Sequence, residues 1–188
     1  MRIGIEKSII GNAEGKGIER EEELIQVMQQ LQVERTNVII MHNPSFQDGM
    51  SEEWNITLLK TAIGTIIEKK NISHVFTFDS YGVSGHKNHK DLYRATYELY
   101  YDEQKRRIFN LYTLQSTNLL TKYIGLFSLV KLIFSHFHQK QPISIIQYNP
   151  FQTLIYLRYH RSQLTWYRIL YSICSQYTYL NQWNHFNA

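Results

Sequence analysis

Two histidines, His86 and His89, stand three residues apart directly after a glycine-containing turn. An apolar, β-branched run over residues 72–78 precedes the turn and predicts a strand, and the histidines open a predicted helix. Residues spaced i and i+3 share one side of a helix, so we expect both imidazoles at the carboxyl end of that strand. Open α/β sheets bind ligands at such junctions. Two neutral imidazoles there can bind a metal ion, move a proton, or divide these tasks.

The spacing alone is a weak indication of a metal site, because paired histidines also occur as ordinary packed residues. Two other features of the stretch favour a functional site. Asp79 follows the strand directly, and Gly82 and Gly85 allow the backbone to turn sharply. We expect Asp79 either to orient an imidazole or to hold the loop in place.

The whole stretch, TFDSYGVSGHKNH at residues 77–89, resembles the signature of the N-acetylglucosaminyl-phosphatidylinositol de-N-acetylases, the PIG-L branch of the LmbE-like zinc deacetylases. Three further segments are similar to the same family: GNAEGKGIEREEEL at 11–24, FQDGM at 46–50 with the tryptophan at 54, and HRSQLTW at 160–166. The resemblance implies hydrolysis of the N-acetyl group of a glycolipid, the second step of glycosylphosphatidylinositol-anchor biosynthesis. It also implies a location at the cytoplasmic face of the endoplasmic reticulum membrane.

The resemblance implies distinct roles for the two histidines. Hydrolysis of an unactivated acetamide needs a Lewis acid, a base for the attacking water, and groups that stabilise the oxyanion and protonate the amine. His89 matches a family ligand to zinc. His86 matches the residue placed beside the carbonyl as electrostatic stabiliser and proton donor.

Four residues are expected to bind substrate, by resemblance to the family's segments. Arg20 is expected to contact substrate, and Asp48 to accept hydrogen bonds from sugar hydroxyls. Asn12 lies in the same segment as Arg20, and Arg161 is a candidate to face a lipid phosphate. Two of them have a structural alternative: an arginine paired with a neighbouring glutamate for Arg20, and helix packing for the segment of Arg161.

The family's HPDDE motif is missing from this sequence, in which only ten residues precede Gly11. The N-terminal strand–helix unit of the domain, two of three zinc ligands, the general base and the membrane anchor are therefore expected to be missing. Three explanations stay open. The chain is an incomplete stretch of an active deacetylase, a non-catalytic glycolipid-binding or regulatory homologue, or an enzyme with ligands recruited from Asp79, His42 or His74.

Composition limits the class of protein. The chain has 188 residues, of which 19% are charged and 43% hydrophobic. This length and composition predict one globular domain over residues 1–188. The single cysteine, Cys174, excludes an internal disulfide. The net charge of +4 suits an anionic lipid surface or a phosphate-bearing substrate, and we expect no nucleic-acid partner. Residues 123–137 predict a buried or interfacial amphipathic helix.

Alternating elements predict the fold. Helices are expected over residues 17–32, after Ser51, over 89–104, and as one long helix from Asn149; strands are expected over 37–42, 72–78, 108–114 and 142–148. Strands separated by helices favour an α/β, Rossmann-like (LmbE-like) fold, with a mostly parallel sheet and helices on both faces.

Overall fold

The computed structural model describes residues 5–7, 16–47, 49, 52–102, 108–123, 125–127, 130, 143–147 and 149–186. The strands in this part of the chain are β1 Ile5–Lys7, β2 Val38–Ile40, β3 His74–Phe78, β4 Asn110–Leu114, β5 Ile143–Ile146 and β6 Leu180–Phe186. The helices are α1 Gly17–Gln30, α2 Ile56–Lys70, α3 Gly82–Gly85, α4 Lys87–Tyr101, α5 Leu119–Lys122, α6 Pro150–Tyr159, α7 Trp166–Cys174 and α8 Gln176–Tyr179.

Four strands form the main sheet in the order β3-β4-β6-β5. β3 pairs with β4 in parallel, and β6 lies between β4 and β5, antiparallel to both. Strands β3, β4 and β5 therefore point the same way, which confirms the predicted α/β class. The short strands β1 and β2 pair in parallel in a separate sheet.

The register of β3 and β4 positions the site. Phe78 lies beside Leu114, so both strands end at the same edge of the sheet. The loops that follow them, residues 79–86 and 115–118, consequently meet there. This is the edge at which the sequence predicted the two histidines.

The core lies between this sheet and two helices. Leu59 and Ile63 of α2 and Leu99 of α4 pack with Leu111 of β4, all at most 5% exposed. On the opposite face, the rings of Phe76 and Tyr112 stack with 4.6 Å between centroids. Within the described residues, the predicted helical cover is seen on the face of α2 and α4. A smaller cluster joins α1 to β2.

Most predicted elements differ from the structure by one to three residues at an end, and two helices differ by more. The helix expected after Ser51 begins at Ile56, because the side chain of Asn55 accepts a hydrogen bond from the Leu58 amide and caps it; Ser51 lies outside the described residues. The prediction of one long helix from Asn149 is wrong. It ends at Tyr159, and two more helices and β6 follow.

No helix within the described ranges combines the length and apolar content that crossing a membrane requires. Most of the amphipathic helix predicted over residues 123–137 lies outside those ranges.

Candidate active site at the edge of the sheet

Asp79 joins the two loops that meet at the end of the sheet. Its Oδ1 accepts hydrogen bonds from the amides of Tyr81 (3.1 Å) and Gly82 (3.0 Å) and from the Ser116 hydroxyl (2.6 Å). Its Oδ2 accepts the amide of Ser116 at 2.6 Å. Of the two roles predicted for Asp79, these contacts favour holding the loop.

The turn between β3 and α4 needs its glycines. Gly82 has φ +70°, and a Cβ atom there would lie 2.8 Å from the Cβ of His89. Gly85 has φ +77°. Between them, Val83 has φ 65° and ψ −48°, a rare conformation for a β-branched residue. Its amide donates to the Ser116 hydroxyl at 2.8 Å, which helps to hold the turn in this conformation.

His89 is fixed in position by two contacts. Its ring stacks on Phe78, with 3.9 Å between centroids and 11° between planes. Its Nδ1 lies 3.0 Å from the carbonyl oxygen of Gly82. A carbonyl only accepts, so a neutral imidazole carries its proton on Nδ1 and its lone pair on Nε2. Metal-binding histidines are commonly oriented by such a hydrogen bond, so His89 fits a metal ligand.

His86 lies beside His89, with 5.0 Å between ring centroids. It precedes the first residue of α4. When the amide of Asn88 is oriented to satisfy its neighbours, its nitrogen donates to His86 Nδ1 at 3.2 Å and its oxygen accepts from Trp54 Nε1 at 2.9 Å. A neutral His86 that accepts at Nδ1 carries its proton on Nε2. With Asn88 in this orientation and both rings neutral, the two imidazoles have opposite tautomers: Nε2 carries a lone pair in His89 and a proton in His86.

Two buried polar residues on α4 hold the segment before α2, and sequence reasoning missed both. Asn88 is 4% exposed and Asp91 is 7% exposed. Asp91 Oδ2 accepts the amide of Trp54 at 2.8 Å, while the Trp54 ring packs against Phe46. The indication in the sequence was a pair of polar residues three apart on the inward face of an amphipathic helix.

An exposed ion pair also joins α4 to the segment before α2. Lys87 Nζ donates to Glu53 Oε1 at 2.8 Å. This hydrogen bond lowers the pKa of the Glu53 carboxyl and raises the pKa of the Lys87 ammonium. Such exposed pairs contribute little to stability, so the buried residues of α4 determine where the segment lies.

A second carboxylate–serine contact joins the motif at residues 160–166 to α1. Glu23, 6% exposed, accepts the amide and the hydroxyl of Ser162, both at 2.6 Å. Arg20 lies one helical turn before Glu23 in α1, and Arg161 is exposed beside Ser162. The structure therefore places Arg20 and Arg161 on segments that pack together. Their contact with substrate stays a prediction.

The other predicted residues are placed as follows. Asn12 and Asp48 lie outside the described residues. His42 Nε2 lies 3.3 Å from Glu21 Oε2, and the His74 ring stacks on Tyr112. Across the described ranges, no group of three His, Cys, Asp or Glu side chains is arranged to hold a metal ion. These residues fit one ligand of a metal, His89, and not a complete site.

Comparison with known proteins agrees with the geometry. The PIG-L family, described as GlcNAc-PI de-N-acetylase, matches residues 4–100. A Bos taurus protein named "N-acetylglucosaminyl-phosphatidylinositol de-N-acetylase" is 33% identical, over 93% of this chain and 68% of its own length. The Schizosaccharomyces pombe relative, named "Probable N-acetylglucosaminyl-phosphatidylinositol de-N-acetylase", is 32% identical over 89% and 68%. A Saccharomyces cerevisiae de-N-acetylase is 29% identical over 93% and 67%.

No solved structure matches the chain significantly. The matched family consists of metal-dependent deacetylases, and its match includes the whole turn that carries His86 and His89. The chain is a member of the PIG-L family of de-N-acetylases.

Proposed function

We propose that this protein hydrolyses the N-acetyl group of N-acetylglucosaminyl-phosphatidylinositol. The products are glucosaminyl-phosphatidylinositol and acetate, which makes this the second step of glycosylphosphatidylinositol-anchor biosynthesis. One observation carries the proposal: in a member of this family, the His86 and His89 rings lie together at the end of β3, with 5.0 Å between their centroids. The names of the relatives support the choice of substrate.

The proposal divides the chemistry between the two imidazoles. Hydrolysis adds hydroxide to the acetyl carbon and a proton to the nitrogen as the C–N bond breaks. His86 Nε2–H donates to the carbonyl oxygen, where negative charge develops. The leaving amine receives its proton from His86 in the imidazolium form, which returns to the neutral imidazole, and the proton lost by the attacking water balances the one delivered. His89 is proposed as one ligand of a zinc ion through Nε2. When bound, zinc supplies the Lewis acid that an acetamide requires.

Substrate binding is proposed for the four polar residues that the sequence predicted. Arg161 is exposed on a turn that Glu23 holds against α1, so its guanidinium is available to a lipid phosphate. Arg20 is on the same helix as Glu23. Asn12 and Asp48 are proposed to bind the sugar. A glycolipid substrate also supports the proposed location at the cytoplasmic face of the endoplasmic reticulum membrane.

Substituting each histidine separately tests the proposal. In a full-length form that carries the family's HPDDE segment, His89→Ala should abolish stoichiometric zinc binding, because it removes a ligand. His86→Ala should keep the metal and lower kcat by about 10²- to 10⁴-fold, as expected when a general acid is removed. Bound zinc and acetate released from the glycolipid are the two measurements.

His42→Ala is the matched control, since its exposed imidazole pairs with Glu21. It should change neither quantity. Small and equal effects of the His86 and His89 substitutions would contradict the assigned roles. If the unaltered protein binds the glycolipid but releases no acetate, it is a binding homologue rather than an enzyme.

A further inference from the structure

Helix α7 turns its apolar side outward. Trp166, Leu170 and Ile173 are spaced four and three residues apart, and they are 76%, 53% and 48% exposed. The buried position of the same helix is a serine, Ser172, at 3%. A helix of a globular protein ordinarily buries its apolar face. The sequence of α7 is therefore amphipathic, but its orientation leaves the apolar face uncovered within the described structure.

Neighbouring elements extend this face. The turn Gly125–Phe127 packs against α7 and α8, and the ring of Tyr123 lies 6.2 Å from that of Tyr171. Leu119 and Leu120 of α5, which also packs against α8, and Phe127 of the turn are between 73% and 84% exposed. We call the combined patch the apolar surface; its residues are Leu119, Leu120, Phe127, Trp166, Leu170 and Ile173. Patches of this kind mark sites of association with proteins or membranes.

The apolar surface adjoins the active-site edge. Ser116, which contacts Asp79, lies three residues before Leu119. The next amide, of Thr117, donates to the Tyr177 hydroxyl of α8 at 3.1 Å. The loop that Asp79 holds at the active-site edge therefore leads directly into the apolar surface and is bonded to α8 beside it.

Charge identifies the kind of partner. All 16 Asp and Glu residues of the chain lie at or before Glu103, whereas nine Lys and Arg residues follow it. Lys122 lies over the rings of Tyr123 and Tyr171, at the margin of the apolar surface. Basic residues beside Trp, Tyr and Leu side chains are the composition of interfacial helices, which bind anionic lipids.

We propose that the apolar surface docks on an anionic phospholipid bilayer, with α7 lying in the plane of the interface. This rests on the proposed function in one respect: a glycolipid substrate keeps its acyl chains in the bilayer while its sugar reaches the site. Docking through α7 brings the edge that carries His86 and His89 to the membrane surface. The lipid then need not leave the bilayer.

Vesicle flotation of the full chain tests the proposal. The probes are vesicles of phosphatidylcholine alone and of phosphatidylcholine mixed with phosphatidylinositol, without acetylglucosamine. The chain should float with the mixed vesicles and less with phosphatidylcholine. Leu170→Gln combined with Ile173→Gln should weaken partitioning at least about tenfold, because both side chains lose their apolar contact with lipid.

A matched control carries Ile18→Gln and Leu58→Gln, two exposed apolar residues on α1 and α2. It should float like the unaltered chain, and circular dichroism should show that all variants are folded. The proposal is overturned if the folded chain binds neither vesicle, or if the α7 variant and the control bind equally. It is also overturned if light scattering shows a dimer that only the α7 substitutions dissociate, since a second copy then covers the surface.

The vesicle test is independent of turnover. His89→Ala should float normally whether or not the protein is a deacetylase. Normal flotation without any acetate release would refute the proposed function and support docking. Acetate release from detergent-solubilised glycolipid without any flotation would refute docking alone.

Discussion

At the scale of single residues, the amide of Asn88 lies 3.2 Å from His86 Nδ1 and, when its nitrogen faces the ring, favours the tautomer with the proton on Nε2. In the orientation that donates to His86, it also accepts from Trp54, so the tautomer is linked to the segment before α2.

Asn88 is thus expected to act as a positioning residue. Asn88→Ala should lower kcat by about ten- to a hundredfold, because it removes the hydrogen bond that selects the His86 tautomer. Zinc binding through His89 should be unchanged. The ¹⁵N chemical shifts of the His86 ring should change from the Nε2–H form to a mixture of tautomers.

Asn184→Ala, on the exposed side of β6, is the control and should leave the His86 shifts unchanged. If Asn88→Ala lowers only the melting temperature and leaves both the tautomer and kcat as they were, Asn88 is merely structural.

At the scale of elements, the loop between β3 and α4 is held in place by its contacts with β3 and with the end of β4. Asp79 and Ser116 fix the loop from the end of β4, while the stacking of His89 on Phe78 fixes α4 against β3. The result is strain at Val83, whose positive φ is imposed by both ends of the turn.

Because of this strain, we expect glycine at position 83 to give a more stable protein than alanine, the reverse of the usual order. Glycine normally destabilises a protein relative to alanine, by about 0.5–1 kcal/mol in a helix. At Val83, both substitutions remove the two γ-methyl groups, but only glycine, which has no Cβ atom, relieves the strained backbone, and this relief is worth about 1–3 kcal/mol. Val83→Gly should therefore be more stable than Val83→Ala by about 1 kcal/mol. Urea unfolding measures the difference.

Thr65, an exposed β-branched residue within α2, is the matched position. There, the glycine variant should be less stable than the alanine variant, by about 1 kcal/mol. The same order at both positions would mean that Val83 is unstrained in solution.

At the scale of the whole molecule, the last described strand completes the sheet. β6 pairs with both β4 and β5, and Leu180 at its start is completely buried. The hydroxyl of Tyr100, in α4, donates to the carbonyl of Phe186 at 2.7 Å. The end of the described chain therefore stabilises the strand and the helix that form the active-site edge.

Removing this contribution should destabilise the entire domain. Leu180→Ala leaves a cavity where the leucine side chain is completely buried, and it should lower the free energy of unfolding by about 2–5 kcal/mol. Ile143→Ala, on the adjacent strand but 48% exposed, should cost much less. Deletion of residues 180–188, which removes β6, should abolish cooperative thermal unfolding, whereas deletion of 187–188 should not. Cooperative unfolding of the longer deletion with an unchanged midpoint would contradict the central role of β6.

The sequence by itself determined the local features of this protein. The period of apolar residues predicted α1, α2 and α4 and the strands that precede the site, because helical and extended backbones repeat at different intervals. The spacing of His86 and His89 predicted that their rings would lie together, because i and i+3 are neighbours on any helix. The family motifs indicated the chemistry expected of them.

Only the tertiary structure decided the contacts between distant segments. Asp79 meets Ser116 across 37 residues, and Glu23 meets Ser162 across 139. It also decided that β6 enters the sheet where one long helix was predicted, and that α7 turns its apolar side outward. Periodicity shows that an element has an apolar face but not what covers it. Which face is buried, and which serine a carboxylate binds, depends on the packing of the whole chain.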